Sequence, residues 1–316
     1  MSNFDNRLEW SSKLPPVIAA FILLFVAIFG FTVIGQLVGL LVGFPFYEGD
    51  AKDYIQMISS SSMQIESLKV PLFILQGVSS LIGFVILPAL FMIFYERQTI
   101  HVFFKKTKTS TVLLCLTPII GLVFMGVNAF FVEWNAGVSL PESWSGFEQT
   151  IRSFEDRAAE MTTHLTTFDS FAMFVLGFIV IAIIPGIGEE LVFRGFIQNY
   201  LHKSSSNIHV AIWASAFLFS AIHMQFYGFV PRMLLGALFG YLYYWSGNLI
   251  IPVLAHVFNN GFTVVMMYLH QRSVIDIDLE STELVPISFV LISAIFTIGL
   301  LFYFRKTAVE TYHEIE

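Results

Sequence analysis

The chain has 316 residues, of which 56% are hydrophobic and only 12% are charged. Soluble globular domains usually carry about 25% charged residues, so a chain with this composition must keep much of its surface in lipid. The net charge of -7 argues against nucleic acid as a partner, because phosphate binding requires clustered Lys and Arg. The single cysteine, Cys115, excludes a disulfide framework and a thiolate metal cluster.

Eight segments are long and apolar enough to predict membrane-spanning helices, which need about 20 mainly apolar residues. They lie near 16–42, 70–95, 111–133, 170–200, 208–226, 230–246, 249–270 and 286–304. The first is longer than the ~7–15 residues of a signal-peptide core, and we expect it to remain as the first anchor. The sequence therefore predicts an all-α, polytopic transmembrane helical bundle of about eight spans in the lipid bilayer.

Basic residues in short loops indicate which side of a membrane protein faces the cytoplasm. With eight spans and both termini inside, nine Lys and Arg fall on the inner side and five on the outer side. The inner residues are Arg7, Lys13, Arg97, Lys105, Lys106, Lys108, Lys203, Arg305 and Lys306, and the outer ones are Lys52, Lys69, Arg152, Arg157 and Arg272. We therefore predict a multi-pass protein of the cell membrane with cytoplasmic termini.

An amphipathic pattern lies between the third and fourth predicted spans, in the outer segment 134–169. Its apolar residues, spaced by three or four, are Phe147, Ile151, Phe154, Ala158, Met161 and Leu165. Such a stripe predicts a helix that lies on the membrane surface or over the domain. The alternative is a covering loop helix with no part in the chemistry.

Ionisable residues lie inside the fourth span, where a charge costs about 2.5–3.5 kcal/mol on insertion scales. Glu190 and Arg194 are four residues apart on one helix face and can form an ion pair. Glu189 is rotated about 100° from Glu190 and can point elsewhere. We therefore expect a structural clamp of Glu190 with Arg194, and a carboxylate of Glu189 that is available for proton transfer or metal ligation. The alternative is a salt-bridge cluster at a helix end.

Each of two later spans contributes a histidine. His223 ends the sequence Phe219-Ser220-Ala221-Ile222-His223, and His256 is followed four residues later by Asn260 on the same helical face. One histidine on an apolar helix is usually a packing residue. Two, together with Glu189 and a same-face amide, point to a shared site in the C-terminal half of the bundle.

Two chemistries remain open for these residues. A buried carboxylate beside a histidine can activate water, while a second histidine and an amide can stabilise the oxyanion of a tetrahedral intermediate. Glu189, His223 and His256 could instead ligate zinc, since two His and one carboxylate with an open fourth position form a catalytic zinc set. No HExxH helix is present to favour zinc. Serine catalysis lacks a nucleophile motif, although Ser220 lies near His223.

At these residues the chain resembles the CAAX protease and bacteriocin-processing (CPBP, or Abi) family of intramembrane proteases, which includes the endopeptidase that trims prenylated CAAX proteins. The family motifs EExxxR, FxxxH and HxxxN match, in order, at Glu189, Glu190 and Arg194; Phe219 and His223; and His256 and Asn260. The resemblance covers roughly 170–265. Each motif is loose by itself, and the three in order are specific.

The resemblance implies a role for each matched residue. Glu189 would be the general base, and His223 would help to hold and activate the water. Glu190 and Arg194 would order the site, and His256 and Asn260 would bind the oxyanion. Members are commonly labelled metalloproteases, so a zinc cofactor stays open, while glutamate activation of water needs no metal.

The resemblance also divides the chain into three regions. Residues 1–169 would be an N-terminal transmembrane region with the outer amphipathic segment, 170–270 the protease core, and 271–316 the last span and cytoplasmic tail. The expected partner is a membrane-associated peptide or protein substrate, which could be prenylated. The rival functions are a proton-coupled membrane transporter, because intramembrane Glu and His also build proton relays, and a non-catalytic bacteriocin-immunity protein.

Overall fold

The computed structural model describes residues 14–59, 66–97, 100–104, 110–275 and 286–313. These ranges are largely helical and contain no strand, so the predicted all-α class is confirmed. The helices are α1 Pro16–Phe46, α2 Ala51–Ser59, α3 Lys69–Phe94, α4 Thr111–Ala136, α5 Ser145–Thr166, α6 Phe171–Ser205, α7 Ile208–Ala221, α8 Phe229–Ser246, α9 Ile250–Gln271 and α10 Ile287–His313. Short 3-10 helices cover Glu66–Leu68, Ile100–Phe103 and Glu142–Trp144.

Six helices in the described ranges, namely α1, α3, α4, α6, α9 and α10, are long and apolar enough to cross a membrane. A membrane-spanning helical bundle is therefore confirmed. Two predicted spans are not among these six. The span predicted over 230–246 is present as the 18-residue helix α8. The segment predicted as a span over 208–226 differs more, because its helix α7 ends at Ala221. At about 1.5 Å per residue, its 14 residues fall short of the ~30 Å hydrocarbon core.

Helix α7 ends in backbone hydrogen bonds between residues that are three apart. The N–H groups of His223 and Met224 donate to the carbonyls of Ser220 and Ala221, three residues back. Met224 then takes a left-handed conformation with φ 55°, and the chain turns through 222–228 into α8. Apolar side chains continue past the turn, which is why hydropathy alone extended the predicted span.

Helix α6 is irregular around its acidic residues. Two stretches, Ile179–Ile183 and Leu191–Ile197, have π-helical bonding and flank the turn that carries Glu189 and Glu190. Pro185 lies between them and has no N–H, which leaves the carbonyl of Ile181 without its usual partner in the helix. π-Helical stretches of this kind are common at functional sites.

Two glycines allow helices to approach α6 and α7 closely. A Cβ added to Gly186 would lie 3.1 Å from the backbone nitrogen of Val257, so α9 packs directly on the backbone of α6. A Cβ on Gly236 would lie 3.1 Å from the Cβ of Ala216, so α8 packs equally closely on α7. These contacts bring the motif-bearing helices together.

The two ends of the bundle are formed by different parts of the chain. Asn135, at the end of α4, donates to the carbonyl of Phe226 in the turn. Phe304 of α10 packs in one cluster with Leu113 at the start of α4, and Leu23 of α1 packs with residues from the end of α6 and the start of α7. The described N- and C-terminal parts of the chain therefore approach the end opposite the 222–228 turn.

The predicted amphipathic helix is present as α5. Its apolar stripe is buried only towards the C-terminal end, where Leu165 is 8% exposed, while Phe147 and Phe154 are 56% and 61% exposed. Trp144, just before the helix, is also exposed. Exposed aromatic residues of this kind are typical of a membrane interface.

Some of the predicted charge distribution lies outside the described residues. This applies to the basic residues Arg7, Lys13, Lys105, Lys106 and Lys108.

Candidate active site

Helices α4, α6, α8 and α9 and the 222–228 turn surround a pocket of about 380 Å³. Four of the residues predicted from the sequence line it, namely Glu189, His223, His256 and Asn260. The other two, Glu190 and Arg194, are buried next to it. The structure therefore brings all six predicted site residues together, although they come from three separate segments of the chain.

Glu190 and Arg194 form the ion pair expected from their spacing. Nη1 of Arg194 donates to Oε1 of Glu190 at 2.7 Å, and both side chains are 1% exposed or less. Nη2 of Arg194 donates to the carbonyl of Gly236 on α8 at 2.7 Å. The guanidinium also lies over the rings of Phe219 and Phe239. The pair thus ties α6 to α7 and α8.

Glu190 has a second partner that the sequence did not predict. Its Oε1 also accepts a hydrogen bond from Nδ1 of His256 at 2.8 Å. Because the carboxylate is an acceptor, the proton of the neutral ring lies on Nδ1 and the lone pair on Nε2. Glu190 therefore sets the orientation and the tautomer of His256.

Glu189 points away from this pair. In the described part of the chain it makes no hydrogen bond, and its Oε2 faces Nε2 of His256 across 3.9 Å. His223 donates from Nδ1 to the carbonyl of Phe219 at 2.8 Å, which leaves its Nε2 for the pocket. One carboxylate and two imidazole nitrogens at the pocket are thus without a hydrogen bond to any residue that the structure describes.

Asn260 is held by the irregularity of α6. Its Nδ2 donates at 3.2 Å to the carbonyl of Ile181, the group that Pro185 leaves without a helical partner. Its Oδ1 accepts from Asn259 at 3.1 Å. One N–H of the Asn260 amide therefore remains for a ligand in the pocket.

The side chains predicted as zinc ligands are those of Glu189, His223 and His256. In the ranges that the structure describes, no three His, Cys, Asp or Glu side chains are grouped closely enough to hold a metal ion. These three side chains line the pocket without that spacing.

Sequence reasoning missed three polar residues of the pocket, namely Asn128, Arg232 and Asn259. Asn128 on α4 has a buried Oδ1 without a hydrogen-bond partner, and Arg232 lies in the first turn of α8. All three lie within segments predicted as spans. A polar group inside a span needs a partner or a role, and this signal in the sequence would have identified them.

The turn that carries His223 is held from outside by α5. The hydroxyl of Tyr227 donates to Glu148 at 3.0 Å, and its backbone N–H donates to Glu155 at 2.9 Å. Arg152 covers the ring at 4.0 Å from the centroid. Hydrogen bonds from Arg152, a backbone N–H and Tyr227 hold the pKa of Glu148 below its usual value. We call these four residues the Tyr227 clamp.

Residues 171–262 match the family model described as Type II CAAX prenyl endopeptidase Rce1-like. These residues form an Rce1-like segment. The family resemblance seen in the three motifs is thereby confirmed, and the Rce1-like segment contains all six predicted site residues.

Two curated proteins are similar to the chain over 99 residues each. The uncharacterized protein YpbD of Bacillus subtilis is 27% identical, over 30% of this chain and 48% of its own length. The membrane-embedded CAAX protease MroQ of Staphylococcus aureus is 28% identical, over 29% of this chain and 40% of its own length. Each match covers less than half of the relative. No solved structure matches the chain.

Proposed function

We propose that the protein is an intramembrane endopeptidase in which Glu189 activates water for hydrolysis of a peptide bond. One observation carries the proposal. Of the two adjacent glutamates in the Rce1-like segment, Glu190 is committed to Arg194 and His256, whereas Glu189 faces the pocket without a hydrogen bond to a described residue. The arrangement supplies a general base beside a rigidly held imidazole.

The first step is the addition of water to the peptide carbonyl. Glu189 takes one proton from the water while the oxygen forms a bond to the carbonyl carbon. The 3.9 Å between Oε2 of Glu189 and Nε2 of His256 leaves room for a water that donates to both acceptors. Nε2 of His223 is likewise an acceptor, so it would orient the water in place of His256, because one water donates only two protons.

The second step is the collapse of the tetrahedral intermediate. The electron pair of the oxyanion re-forms the carbonyl, the C–N bond breaks, and the proton on Glu189 passes to the leaving nitrogen. The amide nitrogen of Asn260 has two N–H groups. One donates to the carbonyl of Ile181, and the other would donate to the oxyanion. His256 could donate from Nε2 only with protons on both nitrogens, since Nδ1 already donates to Glu190.

The substrate class follows from the location of the pocket within membrane helices. We propose a membrane-associated peptide or protein, processed either as a CAAX-type substrate or as an exported peptide such as a bacteriocin. The name of MroQ describes a membrane-embedded CAAX protease, which supports the first choice. CAAX substrates carry a prenyl group on a cysteine near the C-terminus, and that group would enter the lipid beside the site.

A Glu189→Gln variant tests the proposal, because the amide keeps the shape of the side chain and removes the base. We expect cleavage of a quenched fluorogenic peptide with an S-farnesyl cysteine, assayed in nanodiscs, to fall by about 10²–10⁴-fold. Proteomics of membranes that carry the wild type or the variant should show peptide termini that disappear with Glu189. The matched control is Glu142→Gln, at an exposed glutamate before α5. A wild-type rate in Glu189→Gln would contradict the mechanism.

A further inference from the structure

Two arginines, one in the pocket wall and one buried next to it, differ in their partners. Arg194 has the carboxylate of Glu190 at 2.7 Å. Arg232 has no carboxylate at ion-pair distance among the residues that the structure describes. Its Nη2 donates at 2.5 Å to the neutral amide oxygen of Gln225, and its Nη1 is buried without a hydrogen-bond partner. The pocket wall therefore carries a cation without a counterion.

The guanidinium of Arg232 is held in one position. It lies against the backbone of Gly228, where an added Cβ would be 3.2 Å from Nη2 and 3.4 Å from Nη1. Arg232 follows Pro231 in the first turn of α8, which fixes the backbone at this point. The group is thus preorganised, and binding a ligand would require little ordering of its side chain.

Two carboxylates act on Arg232 from a distance, and both have other roles. Glu189, in the pocket, is the proposed general base, and Glu155 on α5 accepts the backbone N–H of Tyr227. Neither is an ion-pair partner. A guanidinium binds a carboxylate through two parallel N–H···O bonds, which a neutral amide cannot match in charge.

We propose that Arg232 binds a carboxylate of the substrate, which displaces the amide of Gln225 and also pairs with Nη1. This inference rests on the proposed function and specifies its substrate class. The pocket, at about 380 Å³, is at the small end of ligand sites and holds only a short peptide fragment. The carboxylate therefore lies close to the cleaved bond, as the free C-terminus of a short leaving peptide would.

Three matched peptides test this inference. They share one sequence, with an S-farnesyl cysteine three residues from the end, and finish in a free carboxylate, in a carboxamide, or in a carboxamide with Glu as the last residue. For the wild type we expect kcat/KM to be at least about tenfold higher for the free acid than for the carboxamide, mainly through KM. The third peptide distinguishes a C-terminal carboxylate from one on a side chain.

Substitutions of Arg232 supply the second arm. Arg232→Gln should bring the acid and the carboxamide to within about twofold of each other, and Arg232→Lys should restore part of the preference, since lysine keeps the charge but not the bidentate geometry. Arg157→Gln, at an exposed arginine on α5, is the matched control and should keep the full preference. Equal rates for both peptides in the wild type, or equal losses for both in Arg232→Gln, would overturn the inference.

A binding measurement separates this inference from the proposed function. The affinities of the same peptides are measured by fluorescence anisotropy on Glu189→Gln protein in nanodiscs, with and without Arg232→Gln. Carboxylate-dependent binding together with wild-type protein that cleaves no peptide would support the Arg232 site and reject the protease. Cleavage without any preference for the carboxylate would do the reverse. Absence of binding by all three peptides would also count against the Arg232 site.

Discussion

Glu190 shows how one residue can hold a site inside a membrane bundle. Its Oε1 receives hydrogen bonds from Arg194 and from His256, on two different helices. All three groups are almost fully buried. A buried charge is tolerated only when it is paired, and removal of one partner typically costs about 3–5 kcal/mol. Glu190 is therefore expected to contribute to both stability and activity.

A double-mutant cycle measures this coupling. Glu190→Gln should destabilise the protein by about 3–5 kcal/mol, because Arg194 keeps its charge without a partner. Arg194→Met in the same chain should recover part of the loss, since no unpaired charge remains. Thermal unfolding in nanodiscs gives the free energies. Additive losses in the double variant would show that the two residues stabilise the fold independently.

The sequence was sufficient to predict some of these contacts. The pairing of Glu190 with Arg194 follows from a spacing of four on one helix. The contact of Glu190 with His256 joins residues 66 positions apart, and no local rule gives it. Asn260 likewise depends on the carbonyl that Pro185 frees across a helix interface. Tertiary packing, rather than local pattern, determines these roles.

At the scale of elements, the 222–228 turn is supported on two sides. Asn135 of α4 bonds both the carbonyl of Phe226 and the N–H of Val230, and the Tyr227 clamp holds the turn to α5. Hydropathy predicted the helices of the bundle well. It could not predict where α7 ends, because the turn is closed by backbone bonds and by clamp residues that are distant in the sequence.

Loss of the Tyr227 clamp should affect catalysis through the position of His223. We expect Tyr227→Ala to lower kcat by about tenfold or more, with a smaller change in KM, because a misplaced catalytic group affects the chemical step. Tyr227→Phe keeps the ring under Arg152 and the backbone bond to Glu155, and should retain most of the activity. Steady-state kinetics on the fluorogenic peptide distinguishes the variants. Equal losses in both would point to the hydroxyl instead.

The clamp also has a predictable pH dependence. The pKa of Glu148 is lowered on folding, so the stability it contributes is present above its ordinary value of 4.5 and is lost as the pH falls through the lower folded value. Protection of the 222–228 amides from hydrogen exchange, corrected for the intrinsic rate, should be constant from neutral pH to about 5 and decrease only below that range. In Glu148→Gln the acid-dependent decrease should disappear. A decrease near pH 6–7 would implicate a histidine.

At the scale of the whole molecule, the 222–228 turn and the first and last described residues of the chain lie at opposite ends of the bundle. Gly228 and Arg232, which line the pocket, belong to the end of the bundle where α7 gives way to α8. The charge pattern predicts cytoplasmic termini. If so, the 222–228 turn and α5 face the other side of the membrane, and α5 would rest its exposed Phe147 and Phe154 on the outer leaflet.

Cysteine labelling tests this orientation. The native Cys115 is replaced by serine, and a single cysteine is placed by Met224→Cys in the turn or by Glu310→Cys near the end of α10, at positions 84% and 61% exposed. In intact cells a membrane-impermeant maleimide should label the first variant and leave the second unlabelled until the cells are opened. The reverse pattern would place the termini outside.

The side of the membrane on which the turn lies determines which molecules can reach the pocket. With the turn on the outer side, a peptide or an inhibitor added to the medium would approach the pocket from the end that carries Gly228 and Arg232, without crossing the bilayer. A nascent lipoprotein or secreted peptide would meet the site only after export, and a prenylated cytosolic protein would not meet it at all. The orientation of one seven-residue turn thus decides between maturation of exported peptides and processing of cytosolic proteins.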